Sequence, residues 1–228
     1  MPIQFSVVIP TLNAARHLPE TLNALMPGLA DGMIRELIIS DGGSGDGTRE
    51  LARDVGAVLV DGAPGRGGQL ARGAQVAKAD WLVFLHADTH LPPDWPGALA
   101  VHAETQPQTA AVFRLRFRAR GVLPRLVAGF ANLRSQVFGL PYGDQGLVIS
   151  RALYERVGGY RDQPLMEDVA ISQALKGRIR ILPLYVETGA ERYVEGGWLR
   201  RGARNLMTLT RYLCGADPIK LAQRYHKP

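Results

Sequence analysis

The sequence predicts one α/β domain built on a mostly parallel central sheet of Rossmann type, and three observations carry that reading. Short apolar runs alternate with amphipathic segments through the first half of the chain, the pattern of βαβ units with right-handed crossovers and a doubly wound sheet. The runs are continuously apolar, as expected of strands covered on both faces. The 228 residues are 46% apolar and 21% charged, with no repeat, low-complexity tract or long linker to divide them.

In chain order, Phe5-Ser-Val-Val-Ile9 is the first predicted strand and a helix is expected over 15–26. Glu36-Leu-Ile-Ile-Ser40 is the second strand, followed by a Gly-rich turn and a helix over 48–55. Ala57-Val-Leu-Val60 is the third, after which Gly65-Arg-Gly-Gly-Gln69 opens a helix running to Ala77. Trp81-Leu-Val-Phe-Leu85 is the fourth. In the second half, 111–118 alternates apolar and basic residues, the period of a strand with one wet face. Helices are expected over 122–138 and 151–157, with a strand over 146–149 between them. A further helix starts near Glu167, a strand spans 179–186, and a basic amphipathic helix covers 197–214.

The net charge of +6 is unevenly distributed: residues 1–110 carry −5 and residues 111–228 carry +11. The basic half is suited to an anionic partner, such as a phospholipid surface or a phosphorylated substrate. Nucleic acid is disfavoured, because the basic residues follow no recognition-module pattern with interleaved aromatics. Cys214 is the single cysteine, no apolar stretch approaches the length of a membrane span, and the first residues lack a secretory leader. The expected location is the cytoplasm.

Ligands of open parallel sheets bind beyond the carboxyl ends of the strands, so the residues at those ends are the candidates for chemistry. Pro10-Thr-Leu-Asn13 follows the first strand, Ser40-Asp-Gly-Gly-Ser-Gly-Asp-Gly-Thr48 the second, and His86-Ala-Asp88 the fourth. Asp41 is placed to accept hydrogen bonds from a base or ribose, while Asp46 reads as a helix cap. His86 and Asp88, two apart on an extended chain, point the same way and offer an imidazole and a carboxylate to Mg²⁺ or Mn²⁺. Gly65-Arg66-Gly67-Gly68-Gln69 is a phosphate-cradle candidate at a helix start, with Arg66 as a second cation. Glu167 and Asp168 stand together at a helix start, where capping and general-base roles are both open. Asp144 and Gln145 tip a loop ahead of a strand, a place for substrate contacts or a plain turn.

Together these segments resemble the family 2 inverting glycosyltransferases of the GT-A fold. Ser6-Val-Val-Ile-Pro-Thr-Leu-Asn13 is similar to their opening strand, and Asp41-Gly-Gly-Ser-Gly-Asp-Gly-Thr48 to their D-D-G-S-x-D-G-T segment, with Gly42 in place of the second acid. The run from Gly65 to Gly73 resembles their diphosphate-side segment, with Arg72 where an Asn is usual. Trp81 to Asp88 resembles the strand ending in D-x-D, with His86 replacing the first Asp, and Glu167-Asp168 resembles the E-D pair. Similarity is greatest to a small bacterial subfamily associated with radical-SAM and selenodomain proteins, through 84–93, 140–146 and 164–168.

The resemblance implies a GT-A nucleotide-diphospho-sugar transferase fold with a donor and metal half over 1–110 and an acceptor half over 111–228. It implies metal-dependent, inverting transfer of one sugar from a UDP-, GDP- or dTDP-linked donor to an acceptor hydroxyl. Asp41 would contact the base, Pro10, Thr11 and Asn13 the nucleoside, and Arg66, Gln69, His86 and Ala87 the rest of the donor. Asp88, with His86, would hold the metal, Asp168 would be the base with Glu167 beside it, and Asp144 and Gln145 would meet the acceptor. The Q-x-x-R-W segment of processive members is missing, since Arg192 and Trp198 stand apart. A lipid or lipid-phosphate acceptor at a membrane surface would suit the basic half. Two other classes share parts of this pattern, a sugar-nucleotide nucleotidyltransferase and a non-catalytic nucleotide- or anion-binding protein. The former normally carries a Gly-rich loop after its first strand, where Pro10-Thr-Leu-Asn13 has no glycine.

Overall fold

The computed structural model describes residues 3–225. Seven strands, β1 (Phe5–Thr11), β2 (Ile34–Asp41), β3 (Val58–Asp61), β4 (Trp81–Phe84), β5 (Ala110–Phe117), β6 (Leu147–Ser150) and β7 (Ile179–Thr188), form one sheet in the order β3-β2-β1-β4-β6-β5-β7. All neighbours pair in parallel except β6, which is antiparallel to both β4 and β5. The mostly parallel sheet is therefore as the sequence predicts. One consequence of the reversal is functional: the residues that enter β6, rather than those that leave it, arrive at the same sheet edge as the carboxyl ends of the other strands.

Eleven α-helices cover the described residues: α1 (Leu18–Asn23), α2 (Met26–Ala30), α3 (Thr48–Asp54), α4 (Arg66–Val76), α5 (Trp95–Thr105), α6 (Val122–Phe138), α7 (Arg151–Arg156), α8 (Glu167–Ala174), α9 (Glu191–Gly196), α10 (Trp198–Leu213) and α11 (Pro218–Tyr225). The helix expected over 15–26 is two short ones, each with a proline in its first turn, where a missing N–H is tolerated. α5, α9 and α11 are not foreseen. Pro92, Pro93 and Pro96 mask α5 as a loop, although Pro96 sits in its first turn. The alternation in β5 holds only in its second half, where Arg116 is exposed between buried Leu115 and Phe117; 110–113 is buried on both faces.

Two apolar clusters fill the two sides of the sheet, one around Phe5, Trp95 and Phe113, the other around Ile38, Phe84 and Leu153. α4 lies so close to β1 and β2 that a Cβ on Gly73 would sit 2.4 Å from Val8 Cγ1. Gly73→Ala is therefore expected to destabilise the protein by about 1–3 kcal/mol, overpacking outweighing the roughly 1 kcal/mol gain in helix propensity. Urea denaturation checks this; an unchanged or raised midpoint would show that the α4–β1 contact is looser than described.

Candidate active site

The strand order reverses direction between β1 and β4, which makes the crevice at their carboxyl ends the ligand site expected of a doubly wound sheet. Residues 11–13 and 86–88 flank that point. β2 brings 41–44, β5 brings Arg118, β7 brings Gly189 and Glu191, and the reversed β6 brings 143–145.

Asp41 is buried and fully engaged within the chain. Its Oδ1 accepts from Thr11 Oγ1 at 2.8 Å and Ser44 Oγ at 2.5 Å, and its Oδ2 accepts from the amides of Gly43 and Ser44 at 2.8 and 2.7 Å. Burial opposes its ionisation, yet the bonds from Ser44, Thr11 and Gly43 prevail and hold the carboxyl below its ordinary range. Asp41 and Thr11 thus shape the 41–44 turn at the carboxyl ends of β1 and β2. Asn13, in the left-handed region at φ 52°, donates its backbone N–H to Ser44 Oγ at 2.8 Å, and its side-chain Oδ1 accepts from Gly45 N at 3.0 Å. Asp46 accepts from Thr48 at the start of α3 and from the Ala15 amide, bridging the same two loops.

The 65–69 segment, expected as a phosphate cradle, packs against the 161–163 segment. A Cβ on Gly67 would meet Arg161 O at 2.2 Å, and one on Gly68 would meet Asp162 Oδ1 at 2.5 Å. These glycines let the 161–163 segment approach α4 closely. Gln69 is likewise structural: its Nε2 donates to Thr11 O and Ser40 O at 2.7 and 2.8 Å, tying the ends of β1 and β2 together, and its Oε1 accepts from Gly65 N. Gln145 is its counterpart beneath β6, donating to Phe113 O at 2.9 Å and accepting from Ser135 Oγ at 2.6 Å. Both side chains, predicted to meet donor and acceptor, are buried and bonded within the chain.

The chain turns after β4, with Thr89 N donating to His86 O at 3.2 Å, so 86–88 is not extended. His86 Nε2 lies 3.3 Å from the Arg66 guanidinium, which only donates, so Nε2 is the acceptor and Nδ1 carries the proton. Burial, then Arg66 and Arg192, press the imidazole well below its ordinary pKa and keep it neutral. His86, predicted to share a metal with Asp88, has its Nε2 turned to the Arg66 guanidinium in this structure. Asp88 keeps its carboxylate half-buried and without a hydrogen bond or ion pair among the described residues, while Arg118 pins its backbone oxygen at 2.8 Å. A Cβ on Gly189 would stand 3.0 Å from Asp88 Oδ2 and 2.4 Å from Glu191 Oε2, so these two carboxylates converge there. Arg118 and Glu191 are participants that the sequence reading did not single out. The alternating arginines of β5 were read only as a wet face, and no motif marks Glu191. Ala87 contributes its carbonyl to Thr21 Oγ1 at 2.7 Å.

Glu167 and Asp168 begin α8, behind Met166 at φ 64°, a left-handed conformation that costs a non-glycine residue about 1–3 kcal/mol. Glu167 is buried against the Arg66 guanidinium, and Asp168 Oδ2 lies 3.9 Å from the same group. Asp168 Oδ1 accepts from Val169 N at 2.8 Å and Oδ2 from Gly143 N at 3.0 Å. Burial raises the Glu167 pKa, Arg66 lowers it and Asp168 raises it again. Arg66, expected to grip phosphate, is the counter-ion of this acid pair. Gly143 has no room for a Cβ, which would meet His86 Nε2 at 2.5 Å.

Asp144 stands beside them with Oδ1 buried and unpartnered. Burial pushes its pKa up to about 6, Arg134 opposing and Asp168 and Asp88 adding to the rise. Arg134 stacks 3.4 Å over the Tyr142 ring, whose buried hydroxyl also lacks a partner. These acids bear on the fit of a divalent ion. Among the described residues no three His, Cys, Asp or Glu side chains are grouped to hold one. A hard cation bound with substrate phosphates needs only one or two protein carboxylates, however, and the unengaged Asp88 with the orphaned Asp144 oxygen nearby meets that need.

The model of the family described as "Glycosyl transferase family 2" matches residues 6–147. The chain belongs to that family. A mycobacterial relative, the PGL/p-HBAD biosynthesis glycosyltransferase of Mycobacterium tuberculosis, is 36% identical over 94 residues, a match covering 38% of this chain and 36% of that protein. The glucosyl-3-phosphoglycerate synthase of the same organism is 33% identical over 92 residues, covering 36% and 28%. These matches span 36% and 28% of the relatives' length, well under two thirds of either. Among solved structures, the M. tuberculosis glucosyl-3-phosphoglycerate synthase in complex with Mn²⁺, UDP and glucosyl-3-phosphoglycerate superposes with a TM-score of 0.63 at 22% identity, covering 94% of this chain and 81% of that one. S. aureus TarS 1–349 gives 0.63 at 16% identity, covering 96% and 68%. Both show the shared fold.

The raised pKa of Asp144 gives a test. A carboxyl whose folded pKa lies above its unfolded value loses the protein stability as pH rises from about 4 through 6. That rise corresponds to about 3 kcal/mol, so Asp144→Asn in EDTA is expected to melt roughly 6–12 °C higher than wild type at pH 8 and equally at pH 4. Equal melting temperatures at both pH values would show that Asp144 is solvated.

Proposed function

We propose that this chain is a nucleotide-sugar-dependent transferase that moves one sugar to an acceptor hydroxyl with inversion, and that it belongs to the small bacterial subfamily its motifs resemble. The observation that carries the reading is the convergence of Asp88, Asp144, Glu167 and Asp168 with Arg66 at the β1/β4 switch point. The whole of 1–228 is read as one domain, with the donor side in 1–110 and the acceptor side in 111–228. The donor is a sugar linked to UDP, GDP or dTDP, and the UDP-bound neighbours favour UDP.

The turn shaped by Asp41, together with Pro10 and Asn13, would receive the nucleoside. A divalent ion, Mn²⁺ or Mg²⁺, held by Asp88 with Asp144 beside it would offset the charge of the departing diphosphate. Glu167 is committed to Arg66, which leaves Asp168 to take the proton. The acceptor oxygen forms the new bond to the anomeric carbon, the bond to the diphosphate breaks on the opposite face, and the hydroxyl proton passes to Asp168. Gly143 N and Val169 N orient that carboxylate. General-base help of this kind contributes about 10²–10⁴-fold in rate. The acceptor is taken to be a lipid or lipid phosphate, which places the enzyme in the cytoplasm at the inner membrane face.

Release of UDP from UDP-sugars in Mn²⁺ tests the assignment. Asp168→Asn should bind donor as wild type does and lose about 10²-fold or more in turnover. Turnover within a few-fold of wild type would move the base elsewhere. Asp88→Ala should weaken UDP binding in Mn²⁺ yet match wild type in EDTA; equal binding in both conditions would make Asp88 structural.

A further inference from the structure

α6 turns an uncharged apolar stripe to solvent. Val122, Leu126, Phe130, Leu133 and Val137 recur at helical spacing along its outer face, each between 51% and 70% exposed, while Ala128, Ala131 and Ser135 pack inward. Such a row on a monomer marks an interaction surface. α10 lies alongside α6 and adds exposed Leu199, Leu206 and Leu213. Its predicted apolar face is divided: Leu209 is buried and Trp198 packs edge-on against Phe117, so α10 alone is not the amphipathic membrane helix that its sequence describes.

The charge around this surface has one sign. α6 carries Arg125 and Arg134, α10 carries Arg200, Arg201, Arg204 and Arg211, α11 carries Lys220 and Arg224, and none of the three helices carries an acidic residue. Arg200, Arg204 and Arg211 form no ion pair among the described residues. A second copy docked face to face would set these cations against their own likeness, whereas an anionic lipid surface satisfies them and accepts the apolar stripe. A separate basic cavity is lined by Gly196, Arg200, Arg201 and Arg204, suited to an anionic headgroup. The surface is also continuous with the site: one cavity has Phe130 and Leu206 on its wall together with Tyr142 and Asp144.

We propose that the α6 stripe, flanked by the α10 arginines, seats the protein on an anionic bilayer, so that an apolar-chained acceptor enters between α6 and α10 toward Asp144. The route for the acceptor rests on the transferase reading; the bilayer contact does not. Cosedimentation tests the contact with vesicles of equal parts phosphatidylglycerol and phosphatidylcholine, and with phosphatidylcholine alone. Wild type should pellet with the anionic vesicles at low salt and stay in solution with the neutral ones. Leu126→Ser with Val137→Ser should lose about tenfold in vesicle affinity, and Arg200→Ser with Arg211→Ser a similar factor, with thermal melts unchanged. Wild type that stays in solution with anionic vesicles overturns the proposal. So does binding insensitive to the α6 pair, or a dimer that the α6 pair dissociates and that ignores vesicles. UDP binding by the same variants, expected to equal wild type, separates the two readings: its absence from every form would sink the transferase reading and leave the bilayer contact standing.

Discussion

The Arg66 guanidinium, set between Glu167 and the Asp168 carboxylate, is the interaction on which the site depends. Two adjacent carboxylates, 1% and 8% exposed, cannot stay buried at one helix start without a cation beside them. Arg66 comes from the first turn of α4, and the acids come from the first turn of α8. The pair therefore joins the net-acidic first half of the chain to the net-basic second half at the crevice. Its neighbours follow from it. The 161–163 segment leading into α8 presses against Gly67 and Gly68, and Gly143 lies close enough to give its amide to Asp168 and its bare Cα to His86. Burial, with the guanidinium beside it, keeps the His86 ring neutral.

Around this centre the charges are unequal in their satisfaction, and that inequality separates scaffold from chemistry. Asp41 has four internal donors and is spent on a turn; Glu167 is spent on Arg66. Asp88 is unengaged and Asp144 holds a buried oxygen with no partner, so these two retain capacity for a ligand. The reversed direction of β6 is what brings Asp144 to the edge where Asp88 already stands.

Much of this was legible in the sequence because a buried parallel strand is a continuous apolar run, and its end is where the first polar residue appears. The segments 10–13, 41–48 and 86–88 were found that way, and all reach one edge. Partnership was harder to read. A glutamine that bonds two strand carbonyls, as Gln69 does, has the same letter as one that meets a sugar. Gly67 and Gly68 look like a phosphate loop, and only the structure shows the neighbouring backbone that fills their empty sides. The 86–88 segment reads as extended until the turn closed by Thr89 is seen. The outer face of α6 was equally hidden, since its inner face is small and its outer face is large and apolar, the reverse of the usual signature of a surface helix.

A double-mutant cycle between Arg66→Met and Glu167→Gln, read by urea denaturation in EDTA, tests the dependence on this ion pair most directly. Arg66→Met strands a buried charge and should cost about 3 kcal/mol, while the double variant should recover at least about 1 kcal/mol of that loss through a favourable coupling. Additive losses within about 0.5 kcal/mol would contradict the account, because Arg66 and Glu167 would then be independent residues and the two halves of the site would be held together by something else.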